Sequence, residues 1–162
     1  MSKHLLIPQG DFPAVGLGRR LAAMFYDFLL CTALLIVTGG AYKMIQLGII
    51  GEERMRALTD AGALDGDPLL STVLLFVLFG FFAKFWTHNG QTLGMQVWCI
   101  RVQNADGTAI SLWQALLRFV VSIASLLLVG VGFFWSLFDP RKRTWHDIYS
   151  DTQLVRIPKK TQ

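Results

Sequence analysis

Apolar positions along the chain gather into three long blocks separated by shorter polar stretches. The first begins near Leu17 to Leu21, carries the run Phe25 to Val37 and continues more weakly over Ala41 to Ile50. The second runs from about Leu69 to Trp86, and the third from Ser111 to Phe138. A helix needs about 20 largely apolar residues to cross the hydrocarbon of a bilayer, so the first two blocks predict full transmembrane helices. Gly39-Gly40 inside the first predicts either a kink or, more commonly, a close-packing point.

The third block has a different pattern. Ser111 is a natural N-cap, Leu112 to Leu128 is apolar except for Gln114, Arg118 and small hydroxyls, and Val129-Gly130-Val131-Gly132 interrupts before Phe133 to Phe138. A single crossing would carry Arg141-Lys142-Arg143 to the side opposite Arg19-Arg20, against the positive-inside bias. A re-entrant hairpin turning at Gly130-Val131-Gly132 keeps the basic groups together, and irregular backbone at depth is tolerated where protein covers it. The pattern favours the hairpin and leaves a third crossing as the alternative.

Between the second and third blocks, Gln91 to Val102 mixes β-branched and alternating polar residues and meets the turn signal Asn104-Ala105-Asp106-Gly107. Thr152 to Ile157 is strand-like too and ends at Pro158. An isolated strand leaves its backbone groups unpaired, so the two are expected to pair on one side of the membrane. The expected fold is an all-α membrane protein with two full transmembrane helices, a third apolar segment and a small surface β pair. Residues 1–16 form an N-terminal cytoplasmic segment, 17–157 the membrane domain and 158–162 a C-terminal tail.

Composition sharpens this picture. With 162 residues, 53% hydrophobic and 16% charged, and a mean hydropathy of +0.47, the chain is too apolar for an ordinary soluble domain. The net charge of +4 would suit nucleic acid, but the basic residues flank apolar blocks instead of forming one face, which fits topology determinants and no nucleic-acid partner. Residues 1–18 lack the apolar core and cleavage site of a secretory signal, so the first helix is expected to serve as an uncleaved targeting signal. Lys84, Trp86 and His88 read as an interfacial belt.

Several clusters invite a chemical reading and do not sustain it. Asp65-Gly66-Asp67 lacks the rest of a calcium loop, and a solvated turn and helix start explains it better. His4, His88 and His146 are too dispersed for a metal site, and Cys31 and Cys99 are expected to be reduced thiols. Gly90 to Gly94 leads into an apparent strand, not the helix N-terminus that a phosphate cradle requires. His146-Asp147 has no nucleophile or metal cluster in a recognisable arrangement beside it. No enzyme activity and no cofactor are expected.

The residue that stands out is Asp27, seven positions after Arg20 on nearly the same helical face and about 10.5 Å further along the axis. A carboxylate inside a spanning helix costs several kcal/mol on insertion scales, so it points to protein, water or a cation. Arg118 and Arg20 are its candidate partners. Asp147 is expected to pair with Arg20 or the Arg141 to Arg143 group.

Arg20, Asp27 and Asp147, in that order, resemble the signature of the RDD family, which is named for one arginine and two aspartates. Gly90-Gln91-Thr92-Leu93-Gly94, Asp106-Gly107, Arg118 and Thr152 support the resemblance, which covers roughly Val15 to Ile157. Ser150-Asp151 departs from it, standing where the family has small residues including glycine. The resemblance implies a multi-pass membrane protein, with transport suggested for some members.

Two roles follow as expectations. In the first, Arg20, Asp27 and Asp147, with Arg118, Arg19, Arg141, Arg143 and His146 as ion-pair candidates, fix the fold of a structural or accessory subunit packed beside a larger membrane protein. In the second, Asp27 is the intramembrane site of a cation or proton-coupled transporter acting as a homo-oligomer. The expected location is a cell membrane, the inner membrane of a bacterium, with the N-terminus cytoplasmic.

Overall fold

The computed structural model describes residues 4–62 and 66–159, and the fold is mostly helical with one two-stranded antiparallel sheet. α1 (Leu17–Ile50) is a single helix of 34 residues, roughly 51 Å at the α-helical rise. Gly39 and Gly40 neither break it nor bring another part of the chain close: nothing lies within 4 Å of where a Cβ would stand. α2 (Glu52–Asp60) occupies a stretch expected to be a plain connection, and α3 (Pro68–His88) follows. α1 and α3 are both long and apolar enough to cross a membrane. Asp65 lies outside the described residues. Asp67 caps α3, accepting from the Leu69 and Leu70 amides at 3.0 and 3.3 Å and from the Tyr42 hydroxyl at 2.9 Å.

The chain divides into two compact units, Leu29–Gly80 and the combination of Met1–Phe28 with Phe81–Gln162. The second unit holds every candidate site residue. Here the strand expected over Gln91 to Val102 is a short helix, α4 (Leu93–Val97), followed by β1 (Ile100–Gln103). Thr92 causes the difference: its hydroxyl accepts from the Met95 amide at 3.2 Å and starts a helical turn that the alternating pattern conceals. β1 pairs antiparallel with β2 (Gln153–Arg156), with Ile100 opposite Arg156 and Gln103 opposite Gln153.

The N-terminal segment is a strap laid along this sheet. Val15 donates to the Leu154 carbonyl at 3.2 Å, Arg156 to the Pro13 carbonyl at 2.9 Å and Ala109 to the His4 carbonyl at 2.9 Å. Leu6 and Val15 are thereby buried with Ile100, Val102, Leu154 and Val155 in a small apolar core.

The third apolar block is α5 (Leu112–Leu127), a left-handed turn at Val129 and Gly130, α6 (Val131–Phe134) and a 3₁₀ turn (Trp135–Leu137). α5 and the following pair of short helices are bent by 109°. Gly132 makes the fold-back possible, because a Cβ there would stand 2.0 Å from the Ser125 hydroxyl. Beyond the bend, α7 (Trp145–Tyr149) leads straight into β2. The block thus leaves from beside β1 and returns to its partner strand, so both its ends meet at one sheet, as a re-entrant hairpin requires. Its tip is apolar and bare, with Leu127 and Val129 at least 80% exposed, which suits hydrocarbon and not water.

Candidate functional site

Two polar clusters are buried in the second unit, and between them they hold the three signature charges. Asp147 is at the centre of the first. It sits in the first turn of α7, where its carboxylate reaches back to the Thr144 amide at 3.0 Å and hydroxyl at 2.8 Å. One oxygen also accepts from Arg20 Nη1 at 2.6 Å and the other from Arg118 Nη1 at 2.7 Å. A single carboxylate thus bridges the first turn of α1 to the middle of α5.

Both arginines have further acceptors. Arg20 donates to the carbonyls of Lys142 at 2.8 Å and Val15 at 3.3 Å. Arg118 donates to the Thr152 hydroxyl, and its guanidinium carbon lies 5.3 Å from the Trp86 ring centroid. Trp86 is therefore not an interfacial residue. It is buried, with Phe82 stacked at 5.0 Å, and offers its negative face to Arg118. Two guanidiniums against one carboxylate leave an excess positive charge, which the ring face, the hydroxyl and the two carbonyls help accommodate.

This surrounding fixes the protonation states of α7. Burial alone would raise the Asp147 carboxyl, but Arg20 and Arg118 outweigh it and hold the group well below the usual carboxylate range. His146 goes the other way from a charged partner: burial, with Arg118 and Arg20 adding repulsion against the attraction of Asp147, lowers it to about 3. The imidazole is neutral, bonded through Nε2 to the Thr144 hydroxyl at 2.8 Å and tilted against the Phe133 ring with centroids 5.0 Å apart. It packs the hairpin onto α7 and is not a member of an ion pair.

Asp27 is held elsewhere. Its carboxylate accepts from the Thr92 hydroxyl and, at 2.9 Å, from the Gly94 amide. Neither Arg118 nor Arg20 reaches it, because Asp147 has taken both. The segment expected to lead into a strand instead presents the N-terminus of α4, and the chain's own carboxylate occupies it. Gly94 permits the contact: a Cβ there would stand 2.4 Å from the Ala23 carbonyl and 2.8 Å from an Asp27 oxygen. Asp27 is itself only 6% exposed.

The remaining candidates lie outside both clusters. Arg143 pairs with Asp139 at 3.1 Å, not with Asp147. Arg141 lines a cavity of about 300 Å³ that Arg20 and Arg143 also border, and Arg19 lines a different, larger groove. Asp151 is exposed with a left-handed φ of 50°, a conformation that favours glycine. Among the described residues, no group of three or more His, Cys, Asp or Glu is placed to hold a metal. Sequence reasoning missed Thr92, Gly94, Thr144 and Trp86 as partners of the charges. The spacing from Thr92 to Gly94 carried a signal for a capped turn, but Met95 stands where a capping box has Glu or Gln.

A family model described as the RDD family matches residues 14–151. No curated protein and no solved structure matches the chain with significance.

Proposed function

The chain belongs to the RDD family, and from that premise we propose that it is a small multi-pass membrane protein acting as a structural or accessory subunit beside a larger membrane protein. One observation carries this reading: all three signature charges are consumed by bonds within the fold. Arg20 and Asp147 clamp α1 to α7 at 2.6 Å, and Asp27 ties α1 to α4 through Gly94 at 2.9 Å. Charges engaged in this way specify geometry and are costly to break singly. The broad apolar surfaces of α1 and α3 suit lipid or a partner helix. On this reading the protein has no catalytic role, and its N-terminal strap and sheet lie on the cytoplasmic side of a bacterial inner membrane.

A second reading has its own support. Asp27 is the one signature residue that meets only neutral donors among the described residues, so its carboxyl is a candidate for proton or cation exchange in an oligomeric transporter. Purified wild type and Asp27→Asn in proteoliposomes, assayed for cation flux alongside recovery of partners from native membranes, separate the two. Absence of flux together with a stoichiometric partner supports the accessory role. Flux that Asp27→Asn abolishes without lowering thermal stability overturns it in favour of transport.

A further inference from the structure

A groove of about 560 Å³ opens where the strap, the end of α4 and the end of β2 converge beside the first turn of α1. Three cationic side chains line it, Arg19, Arg156 and Lys159, and among the described residues no carboxylate does. The rest of its wall is apolar, with Phe12, Val97 and Trp98 prominent. Val97 is 59% exposed, and the Trp98 indole nitrogen is buried without a hydrogen-bond acceptor. None of these residues belongs to either buried cluster.

We infer that this groove holds the phosphate headgroup of an anionic phospholipid, with Arg19, Arg156 and Lys159 around the phosphate and the upper acyl chain against Phe12, Val97 and Trp98. Charge complementarity selects an anion: three positive groups without a counter-charge among the described lining residues form a site that a phosphodiester neutralises. The apolar wall selects a lipid over free phosphate, which would gain nothing from Val97 or Phe12 and would leave them wet. Position agrees, because Arg19 is in the first turn of α1, where a spanning helix enters the headgroup layer.

The test uses the full chain in phosphatidylcholine vesicles containing a minority of phosphatidylglycerol, with bromine on the acyl chains of one lipid at a time. Comparison with Trp98→Phe isolates the Trp98 emission. Brominated phosphatidylglycerol should quench Trp98 more strongly than the same mole fraction of brominated phosphatidylcholine. Arg156→Gln and Lys159→Gln should each reduce that preference roughly fivefold. Added inorganic phosphate should not relieve the quenching. Equal quenching by the two lipids, or relief by inorganic phosphate, overturns the inference. Native mass spectrometry of the wild type from mixed micelles needs no variant: phosphatidylglycerol adducts in excess support it, and adducts in proportion to the micelle composition overturn it.

Discussion

Arg20 and Asp147 are 127 residues apart in sequence and 2.6 Å apart in the fold. Their bond joins the first turn of α1 to the helix that follows the re-entrant hairpin. Arg118 approaches the same carboxylate from the hairpin itself, at 2.7 Å. One side chain therefore sets the mutual placement of α1, α5 and α7.

Removing that side chain strands two buried guanidiniums. Asp147→Ala should cost about 3–5 kcal/mol, seen as a lower melting temperature in detergent and reduced abundance in membranes. Asp151→Gly should be neutral or stabilising by up to about 1 kcal/mol, since Asp151 is exposed and left-handed. Equal losses from the two substitutions would contradict the assignment of Asp147 as the bridging residue.

Glycines in α1 and α4 should respond in opposite directions. Gly94→Ala places a Cβ 2.4 Å from the Ala23 carbonyl, and forcing α4 from α1 should cost about 1–3 kcal/mol. Gly39→Ala meets nothing within 4 Å and should stabilise α1 by up to about 1 kcal/mol. Thermal melts of both variants in the same detergent check the contrast.

His146 should make stability sensitive to mild acid. Its pKa is lowered from 6.5 to about 3 on folding, chiefly by burial, with Asp147, Arg118 and Arg20 the charges facing it. Its contribution is complete above pH 6.5 and is lost as the pH falls from there toward 3, because the unfolded chain takes up the proton first. Asp147 adds to the loss only below its ordinary value of 3.8. His146→Gln should flatten the decline in melting temperature between about pH 6.5 and 4. An unchanged slope would show that the imidazole is not buried as a neutral group.

Much of this architecture was legible because long apolar blocks and their interruptions are strong signals. The two spanning helices, the break at Gly130 to Gly132 and the pairing of two short strands all follow from pattern and backbone satisfaction. The partner of Asp27 was not legible. Pairing charges by sign led to Arg118 or Arg20, but sign is silent about which of two carboxylates an arginine reaches, and both arginines reach Asp147 in the fold. What stabilises Asp27 is a hydroxyl and a main-chain amide, groups that every sequence has in abundance. Trp86 was misplaced for a related reason: a tryptophan beside a lysine at a helix end marks an interface only until an arginine from another element covers its ring.

The hairpin makes a topological prediction. In a background with Cys31 and Cys99 replaced by Ser, single cysteines at Ala105 and Tyr149 should react with a membrane-impermeant maleimide from the same side. Both positions are exposed and flank the third apolar block. Labelling from opposite sides would require a full crossing and would separate β1 from β2.

The claim that the signature charges act by holding the fold together is tested most directly by a double-mutant cycle on Arg20→Met and Asp147→Leu, with thermal stability as the readout. Direct contact predicts non-additivity on the order of 0.5–3 kcal/mol, the double variant losing less than the sum of the singles. Strictly additive losses would mean that the two residues do not support one another, and the clamp would have to be abandoned.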